Sequence, residues 1–499
     1  MRPALDDSNH SSDTMESRAV GDTMQNSLTP FFEPRSVAIV GASSASGKAG
    51  HEAIRNILAN GYPGKLYPVN PKGGEILGLP VVPTVAELPD GVDLALVVLP
   101  ADATPQAIRE CVAKGIRHFV LMAGGFAEVD ESGAQIQQEL VDLIRDTGIR
   151  VLGPNISGHI STPNAFTSAF FPLGKIRRGT VSFIAQTGNF ATHTMKYILT
   201  AEHFGVSRVI GLGNKVDIDE SDALECLADD PETSAIVIYL ESFKRPRRFL
   251  ELARAVTRRK PIVMLKSGET EAGKQAAVAH TAAMASEDRL VDGMLRQAGV
   301  VRVWEYTHLI LAAKAFSMLP LPKGNRVSFL APSGAMLVAL SDYCIRQGLV
   351  VPEVNRETVQ KLQEISPPYI RMRNPVDIWA SAAVSGVEFA YRAGMEAVLQ
   401  DPNIDAVVAI LMLTREMGVP PFDFIVDLAK KYPEKPVLVG FSAAKDCLEE
   451  CKAYLEPRGV PTFLDIEQPF EVLSILVRCY RAMTRPQTGA TDTWAVAPR

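Results

Sequence analysis

The chain has 499 residues, of which 46% are hydrophobic and 22% are charged, and its formal net charge at pH 7 is −6. This length is too great for one hydrophobic core, so we expect two to four domains. The acidic balance and the lack of a basic block argue against nucleic acid as a partner. No apolar run reaches the roughly 20 residues of a membrane span, so we expect no membrane insertion.

The two ends of the chain have the composition of flexible tails, over residues 1–27 and 486–499. The first is polar, rich in serine and aspartate, and has no apolar stretch of the signal-peptide type. The six cysteines are scattered without a CxxC pair, so we expect reduced thiols in a cytoplasmic protein. The sequence contains no HxxxH pair and no His/Cys cluster, so we expect no bound transition metal.

Short, continuous apolar runs alternate along the chain with segments of helical spacing. Continuous runs are typical of parallel strands buried on both faces, and their alternation with helices predicts right-handed βαβ units. We therefore predict an α/β fold of three domains, over 28–152, 153–320 and 321–485. The predicted strands are Ser36–Val40, Leu94–Leu99, His118–Met122, Val151–Leu152, Val181–Ala185, Ala235–Leu240, Ile262–Leu265, Val327–Ala331, Ala406–Met412 and Val437–Val439.

The first domain is expected to carry small-residue loops at the carboxyl edge of its sheet. The turn Gly41–Lys48 follows the strand Ser36–Val40 and leads into a helix near Gly50, where backbone N–H groups can approach a phosphate. This turn is not GxGxxG, and no acidic residue is placed for a ribose hydroxyl. Lys72 suits an extra phosphate, as in NADP or coenzyme A, and Gly124–Phe126 adds a further close-approach loop. The alternative is that these glycines only make turns.

The middle and last thirds of the chain repeat each other. Four matches occur in the same order in the two segments, which indicates two copies of one α/β domain. The matched pairs are Val181–Gly188 with Val327–Gly334, Asn214–Ile218 with Asn374–Ile378, Ala235–Leu240 with Ala406–Leu411, and Lys260–Val263 with Lys435–Leu438.

In each copy the first strand ends in a turn that opens a helix. Gln186–Gly188 occupies this position in the first copy, with a helix predicted over 190–201, and Ser333–Gly334 occupies it in the second. The free N–H groups and the dipole of a helix N-terminus attract an anion, so the two ends can converge on one phosphate. The alternative is simple helix capping by Thr187 and Ser333.

His280 is the most informative single residue, because only the first copy is followed by the motif Ala279-His280-Thr281. We expect a polar, glycine-bearing loop over 268–278 to lead to it. A neutral, unhindered histidine on such a loop can act as a nucleophile and carry a phosphoryl group. Glu241, at the end of a strand, can bond to the second ring nitrogen and fix the tautomer. The alternative is a histidine that caps a helix or lies on the surface.

Together these motifs resemble the α-subunit of nucleoside-diphosphate-forming acyl-CoA synthetases, in the succinyl-CoA synthetase superfamily, over about residues 28–485. The resemblance implies a Rossmann-like CoA-binding domain followed by two flavodoxin-like domains. The segments that carry it are Phe32-x-Pro34-x-Ser36-Val37-x-x-Val40-Gly41-Ala42-Ser43, Val69–Lys72, Gly153–Asn155, Gln186–Gly188, Glu241 and Ala279–Thr281.

The resemblance also implies roles for individual residues. His280 matches the phosphorylated histidine, and Glu241 matches the glutamate that stabilises it. The implied CoA-binding residues are Gly41, Ala42, Ser43, Lys48, Asn70, Lys72, Pro100, Gly124, Gly125 and Phe126. The implied phosphate- and acyl-binding residues are Asn155, Gln186, Thr187, Gly188, Asn214, Ser333 and Gly334.

The implied reaction is acid + CoA + ATP = acyl-CoA + ADP + phosphate, through acyl phosphate and phosphohistidine intermediates. The three domains leave no length for the ATP-grasp domain that supplies ADP and Mg²⁺ binding in this family. The resemblance therefore implies a partner ATP-grasp β-subunit and an α2β2 assembly. The chain departs from the family pattern at Ile156-Ser157, at Thr187 and at Ala282-Ala283. None of these departures removes a needed functional group.

Two other functions remain open on the sequence. One is a non-catalytic regulatory protein that binds CoA or acyl-CoA, and the intact His280 and Glu241 argue against it. The other is an NADP-linked oxidoreductase, against which the missing GxGxxG argues. The carboxylic acid substrate is also open, with Thr192 and Phe166 as candidates for lining its pocket.

Overall fold

The computed structural model describes residues 28–281, 287–416 and 421–486, without the side chains of residues 278–281. The tails predicted at 1–27 and 486–499 lie outside the described residues, apart from residue 486. Within the described ranges, no helix combines the length and the apolar character needed to cross a bilayer. All six cysteines are unpaired.

The first domain is built around a parallel, doubly wound sheet. Its strands are Ser36–Val40 (β1), Lys65–Val69 (β2), Glu75–Ile76 (β3), Leu79–Pro80 (β4), Leu94–Val97 (β5), His118–Leu121 (β6) and Arg150–Leu152 (β7). Its helices are Thr29–Phe32 (α1), Ala49–Asn60 (α2), Thr104–Ala113 (α3) and Glu131–Thr147 (α4). The sheet has the order β2-β1-β5-β6-β7, and β3 pairs with β4 in a separate hairpin. The central strand β5 is buried throughout, because helices cover both faces.

The second domain adds two antiparallel edge strands to a parallel sheet. Its strands are Ile160–Ser161 (β8), Phe166–Thr167 (β9), Val181–Ala185 (β10), Arg208–Gly211 (β11), Ala235–Leu240 (β12), Ile262–Lys266 (β13) and Val301–Val303 (β14). Its helices are His193–Ala201 (α5), Glu220–Ala228 (α6), Pro246–Val256 (α7), Glu271–Thr281 (α8), Asp288–Ala298 (α9) and Tyr306–Met318 (α10). The sheet order is β14-β13-β12-β10-β11-β8-β9, and β8 is antiparallel to both of its neighbours.

The third domain repeats this architecture without the antiparallel edge. Its strands are Val327–Ala331 (β15), Val376–Asp377 (β16), Ala406–Leu413 (β17), Val437–Ala443 (β18) and Thr462–Phe463 (β19). Its helices are Gly334–Arg346 (α11), Arg356–Glu364 (α12), Trp379–Ser385 (α13), Val387–Gln400 (α14), Asp423–Lys431 (α15), Lys445–Leu455 (α16) and Gln468–Thr484 (α17). The sheet order is β16-β15-β17-β18-β19.

All three parallel sheets share one strand order, with the second strand on one side of the first and the remaining three on the other. This flavodoxin-like order places a topological switch point between the first and third strands of each sheet. The predicted α/β fold and the duplication are confirmed, and the duplication extends to side-chain contacts. Lys260 and Lys435 each donate from Nζ to two backbone carbonyl oxygens, at equivalent places in the two copies.

The first two domains share one hydrophobic core, which includes Leu152 from the first and Ile156 and Ile210 from the second. The backbone also joins them, because the N–H of Ile218 donates to the carbonyl of Val151 over 3.2 Å. The third domain attaches to the second through α10 and α17, because Leu311 of α10 lies in a core of the third domain and Ile475 of α17 lies in a core of the second. The carboxyl edges of the first two sheets are therefore held in a fixed relation to each other.

Candidate functional site

A cavity of about 490 Å³ lies between the first and second domains. It opens at the carboxyl ends of β5, β6 and β10, so it lies where the carboxyl edges of two doubly wound sheets meet, the edge at which such folds bind ligands. Six residues singled out from the sequence line it. The full lining is Ala49, Val98, Leu99, Pro100, Met122, Ala123, Gly124, Asn155, Ile156, Ser157, Phe170, Gln186, Thr187, Gly188 and Gly213.

Two glycines permit close approaches around this cavity. Gly41 has a φ of +91°, and a Cβ there would lie 2.7 Å from the carbonyl oxygen of Val98. A Cβ on Gly188 would lie 2.3 Å from Oγ of Ser157, which lines the cavity wall. Larger residues at either position would push the loops after β1 and β10 away from their neighbours.

Asn70 ties together the loops that follow β1 and β2. Its side-chain Nδ2 donates to the carbonyl of Ala42 over 2.7 Å, and its Oδ1 accepts from the N–H of Lys72 over 2.9 Å. Lys48 and Lys72 are exposed beside these loops, and Oγ of Ser43 accepts from a backbone N–H within its own turn. Asn70 therefore positions the two loops, and the two lysines present free ammonium groups at the sheet edge.

The loop after β6 is occupied by a carboxylate that the sequence reading missed. Oε1 of Glu128 accepts from the N–H groups of Gly125 (2.7 Å) and Phe126 (3.2 Å), and Oε2 accepts from Nδ2 of Asn214 (2.6 Å). Burial acts to raise the pKa of Glu128, but the hydrogen bonds from Asn214 and from the loop outweigh it and hold the pKa below its ordinary value. The phenyl ring of Phe126 is fully buried in the domain core. The carboxylate of Glu128 thus accepts the hydrogen bonds of the backbone N–H groups in this loop and links the loop to Asn214 of the second domain.

Asn155 lies where the two domains meet at the cavity. Its φ is +60°, a left-handed conformation that asparagine tolerates better than most residues. Its N–H donates to the carbonyl of Ala123 over 2.9 Å, and its Nδ2 lies 3.4 Å from Oδ1 of Asn214. The predicted residues Asn155 and Asn214 therefore contact each other, and the side chain of Asn155 faces the cavity.

Gln186 holds the loop that carries Glu241. Its Oε1 accepts from the backbone N–H groups of Glu241 and Ser242, each over 3.0 Å, and its Nε2 donates to Oγ of Ser242 over 3.1 Å. From the other side, Nζ of Lys215 donates to the carbonyl of Ser242 (2.7 Å) and pairs with the buried carboxylate of Glu220 (2.9 Å). Burial lowers the pKa of Lys215 below its ordinary value. Two buried side chains thus fix the backbone at the end of β12.

The turn after β10 differs from its prediction. The continuous helix expected over 190–201 is a four-residue 3₁₀ turn, Gly188–Ala191, followed by α5, because Thr192 (φ −132°, ψ −106°) breaks the helical backbone. Oγ1 of Thr187 accepts from the N–H of Asn189 over 3.2 Å, which is the capping contact of the alternative reading. An anion near Gly188 would therefore meet turn amides without the dipole of a long helix.

Several predicted site residues are not among those that line the cavity. Ser333 and Gly334 begin α11 in the third domain and are not among the lining residues. Thr192 donates from Oγ1 to the carbonyls within its own turn, and Phe166 is buried in the core shared by the first two domains. Thr192 and Phe166, the candidates for the acyl pocket, are therefore not among the residues that line this cavity, whose apolar lining in the second domain includes Phe170 and Ile156.

The segment leading to His280 is a helix, which corrects the predicted loop over 268–278. Helix α8 runs from Glu271 to Thr281, because its many alanines favour a helix and Oγ1 of Thr270 accepts from the N–H of Gly273 over 3.1 Å. The described side chains of residues 271–277 are all exposed or half-buried. The backbone of His280 lies in the last turn, and its side chain is outside the described part.

Glu241 lies directly after β12, at the switch point of the second domain. Its side chain is buried, and Oε1 accepts from the hydroxyl of Tyr239 over 3.3 Å. Burial raises the pKa of Tyr239, which in turn accepts a hydrogen bond from Oγ of Ser267 over 3.2 Å. The predicted carboxylate is thus part of a buried network at the base of the segment that leads to α8.

The fold and site are those of an α/β protein in which two doubly wound domains share a cavity at the carboxyl edges of their sheets, where such folds bind ligands. Models of three families match the chain in order. A CoA binding domain matches residues 35–159, a succinyl-CoA ligase like flavodoxin domain matches 178–316, and a ligase-CoA domain matches 327–486.

Several known proteins are similar over most of the chain. The ADP-forming acetate–CoA ligase II subunit alpha of Pyrococcus furiosus is 35% identical over 89% of this chain and 95% of that subunit. The ADP-forming acetate–CoA ligase II of Archaeoglobus fulgidus is 37% identical over 89% of this chain but 66% of that longer protein. The solved dinucleotide forming acetyl-coenzyme A synthetase 1 of Ca. Korarchaeum cryptofilum, in complex with phosphate and ADP, is 31% identical, with a TM-score of 0.84 over 92% of this chain and 98% of that one. The chain belongs to the family of ADP-forming acetate–CoA ligases.

Proposed function

We propose that this chain is the α-subunit of an ADP-forming acyl-CoA synthetase, which catalyses acid + CoA + ATP = acyl-CoA + ADP + phosphate. The observation that carries the proposal is the cavity between the carboxyl edges of the first two sheets, with the Glu241 loop fixed by the cavity-lining residue Gln186. The ligase names of the similar proteins favour this function over a non-catalytic CoA-binding protein.

Coenzyme A is assigned to the first domain. The turn Gly41–Lys48 ends at Ala49, which lines the cavity, and the exposed Lys48 and Lys72 offer two cations for phosphates at its edge. The first-domain wall of the cavity suits the pantetheine arm, because its lining residues Val98, Leu99, Pro100 and Met122 are apolar. The thiol would then reach the side of the cavity formed by the second domain.

In the direction of ATP formation, the proposed reaction has two steps on this chain. Phosphate attacks the thioester carbonyl, the C–S bond breaks, and CoA leaves as acyl phosphate forms. A ring nitrogen of His280 then attacks phosphorus, and the P–O bond to the acyl group breaks, releasing the carboxylate. Asn155, Thr187 and Gly188 line the wall where phosphate and the acyl group would meet. Glu241 is assigned to the second ring nitrogen of His280, which keeps the attacking nitrogen unprotonated.

ATP, ADP and Mg²⁺ are assigned mainly to a partner ATP-grasp β-subunit, in an α2β2 assembly. The relatives named as alpha subunits have nearly the length of this chain, whereas the chain spans about two thirds of the single-chain Archaeoglobus ligase. About a third of that longer protein has no counterpart in the matched part of this chain, and a separate subunit would provide the corresponding part here. The phosphoryl group on His280 would pass to ADP on that subunit.

The decisive experiment is thioester formation by the chain together with its ATP-grasp partner. ATP, CoA and a panel of carboxylic acids are supplied, and acyl-CoA is identified by mass spectrometry with ADP measured in parallel. H280A is expected to abolish thioester formation, and H193A, a variant of the exposed His193, is the matched control that retains it. Equal activity of H280A and H193A would contradict the proposal, as would a complete lack of thioester from every acid with a competent partner.

A further inference from the structure

Lys266 is a buried cation that the reaction described above does not use. Lys266 is the last residue of β13 and is 3% exposed. It pairs with Leu240 in the register between β12 and β13. Glu241 follows Leu240 directly, so Lys266 and Glu241 lie at the ends of two neighbouring strands, at the same edge of the sheet. Lys266 therefore lies at the switch-point edge of the second domain.

The ammonium group of Lys266 has no carboxylate partner in the described part of the chain. Its Nζ donates to the backbone carbonyl of Ser267 over 2.6 Å and forms no salt bridge there. On the adjacent strand β14, by contrast, the buried guanidinium of Arg302 pairs with Asp288 at 3.1 Å. A buried charge is normally paired, because its desolvation is costly. Lys266 thus has two donor positions and a positive charge that an anion would satisfy.

Helix α8 returns to this place. A Cβ on Gly268, two residues after Lys266, would lie 3.6 Å from Cβ of Ala277, so the second turn of α8 packs against the segment that precedes the helix. His280 follows Ala277 by three residues on the same helix, which is a rise of about 4.5 Å along the axis. The helix that carries His280 is therefore held beside the segment that follows β13.

The internal repeat provides a control within the molecule. In the third domain, β17 and β18 pair Leu411 with Phe441, as β12 and β13 pair Leu240 with Lys266. Phe441 therefore takes the place of Lys266, and Met412 takes the place of Glu241. The copy without the histidine motif lacks both the cation and the carboxylate, which ties Lys266 to the chemistry of the second domain and not to its fold.

The charged groups that face Lys266 come from every element packed around it. They are Arg302 on β14, Asp288 on α9, Glu241 after β12 and Lys215 in the loop after β11. Burial first, and then Arg302, lower the pKa of Lys266 to about 8, while Asp288 and Glu241 act in the opposite direction. The side chain of Lys266 is therefore charged at neutral pH, and it loses this charge within the range of an ordinary pH profile.

We infer that Lys266 binds the phosphoryl group carried by His280, as the counter-charge for the phosphohistidine beside Glu241. The inference rests on the proposed function and adds a residue to its site. A dianionic phosphoryl group brings the acceptor oxygens that the free donors of Lys266 require. Glu241 orients the imidazole, and Lys266 neutralises the charge that arrives on it.

The test measures phosphorylation of His280 against pH, using γ-labelled ATP, Mg²⁺ and the ATP-grasp partner. In the unmodified chain the rate is expected to fall as pH rises through about 8, because deprotonation removes the counter-charge. K266M is expected to label His280 about 10- to 100-fold more slowly, without that alkaline fall. K266R, whose guanidinium stays charged, is expected to label at high pH without the fall.

Controls separate this inference from folding and from the proposed function. K260M removes a lysine two residues before β13 that donates to the backbone carbonyls of Leu227 and Asp230, and it is expected to keep the pH profile. Unfolding temperatures and CoA affinity are measured for every variant. A K266R enzyme that retains the alkaline fall, or a K266M enzyme with the original rate and profile, would overturn the inference. No label on His280 in the unmodified chain would overturn the proposed function and this inference with it.

Discussion

The hydrogen bonds of Gln186 make a prediction that separates positioning of Glu241 from its chemistry. Replacing Gln186 with methionine keeps the volume of the side chain but leaves the N–H groups of Glu241 and Ser242 without the acceptor that now lies 3.0 Å from each. An orphaned buried donor costs about 1 to 3 kcal/mol, so two cost about 2 to 6 kcal/mol. Part of this cost is expected to be relieved by movement of the loop.

That movement is what phosphorylation would detect. A displacement of Glu241 by about 1 Å can slow a reaction that depends on its geometry by about 100-fold. Q186M is therefore expected to unfold at lower urea concentration and to phosphorylate His280 slowly, with CoA affinity nearly unchanged. Q186E retains an acceptor at Oε1, so it is expected to recover much of the stability.

The matched control is Q363M in the third domain. Gln363 also bonds backbone groups, donating to the carbonyl of Ile370 over 2.9 Å and accepting from the N–H of Met372 over 3.4 Å. Its variant is expected to lose stability without slowing phosphorylation. If Q186M phosphorylates His280 at the original rate, or if Q363M slows it equally, the assignment of Gln186 as the residue that fixes Glu241 is incorrect.

Three further predictions concern the frame of the site. G41A places a Cβ 2.7 Å from the carbonyl oxygen of Val98 at a φ of +91°, so it should lower the unfolding temperature and weaken CoA binding in calorimetry. K215M strands the buried carboxylate of Glu220 and should cost about 3 to 5 kcal/mol in urea unfolding, and the double variant with E220Q should recover part of this. The pKa of Glu128 is lower in the folded chain than its value near 4.5 in the unfolded chain. Its carboxylate therefore stabilises the fold at pH values above 4.5, and this contribution is lost as pH falls through the folded pKa. E128Q should therefore flatten the acid limb of stability against pH, and an unchanged limb would contradict that role.

The sequence was sufficient for most of the fold because the strands are continuous apolar runs. The predicted bounds of Val181–Ala185, Ala235–Leu240 and Val327–Ala331 are those of β10, β12 and β15. Among the strands absent from the prediction, β16 and β19 have two residues each and are too short to produce a pattern, whereas β11 has four residues and was also missed. Their positions are set by pairing with longer neighbours and not by local composition.

The site was predicted less completely, because its supports are contacts between distant residues. Glu128 and Asn214 are separated by 86 residues, and Gln186 and Glu241 by 55. Composition also misled the reading of residues 268–278, where glycine and charge indicated a loop but alanine spacing and the Thr270 cap make a helix. Lys266 gave no signal in the sequence, since its significance depends on its burial and on the register with β12.

We propose that His280 carries a phosphoryl group between ATP and an acyl-CoA. The most direct measurement is to incubate the chain and its ATP-grasp partner with γ-labelled ATP and Mg²⁺, and to map an acid-labile, base-stable phosphate by peptide mass spectrometry. We expect a labelled phosphate on His280 that is absent from H280A and is discharged when CoA and a substrate acid are added together. Label that is absent with a competent partner, or that CoA and every acid tested fail to discharge, would contradict it.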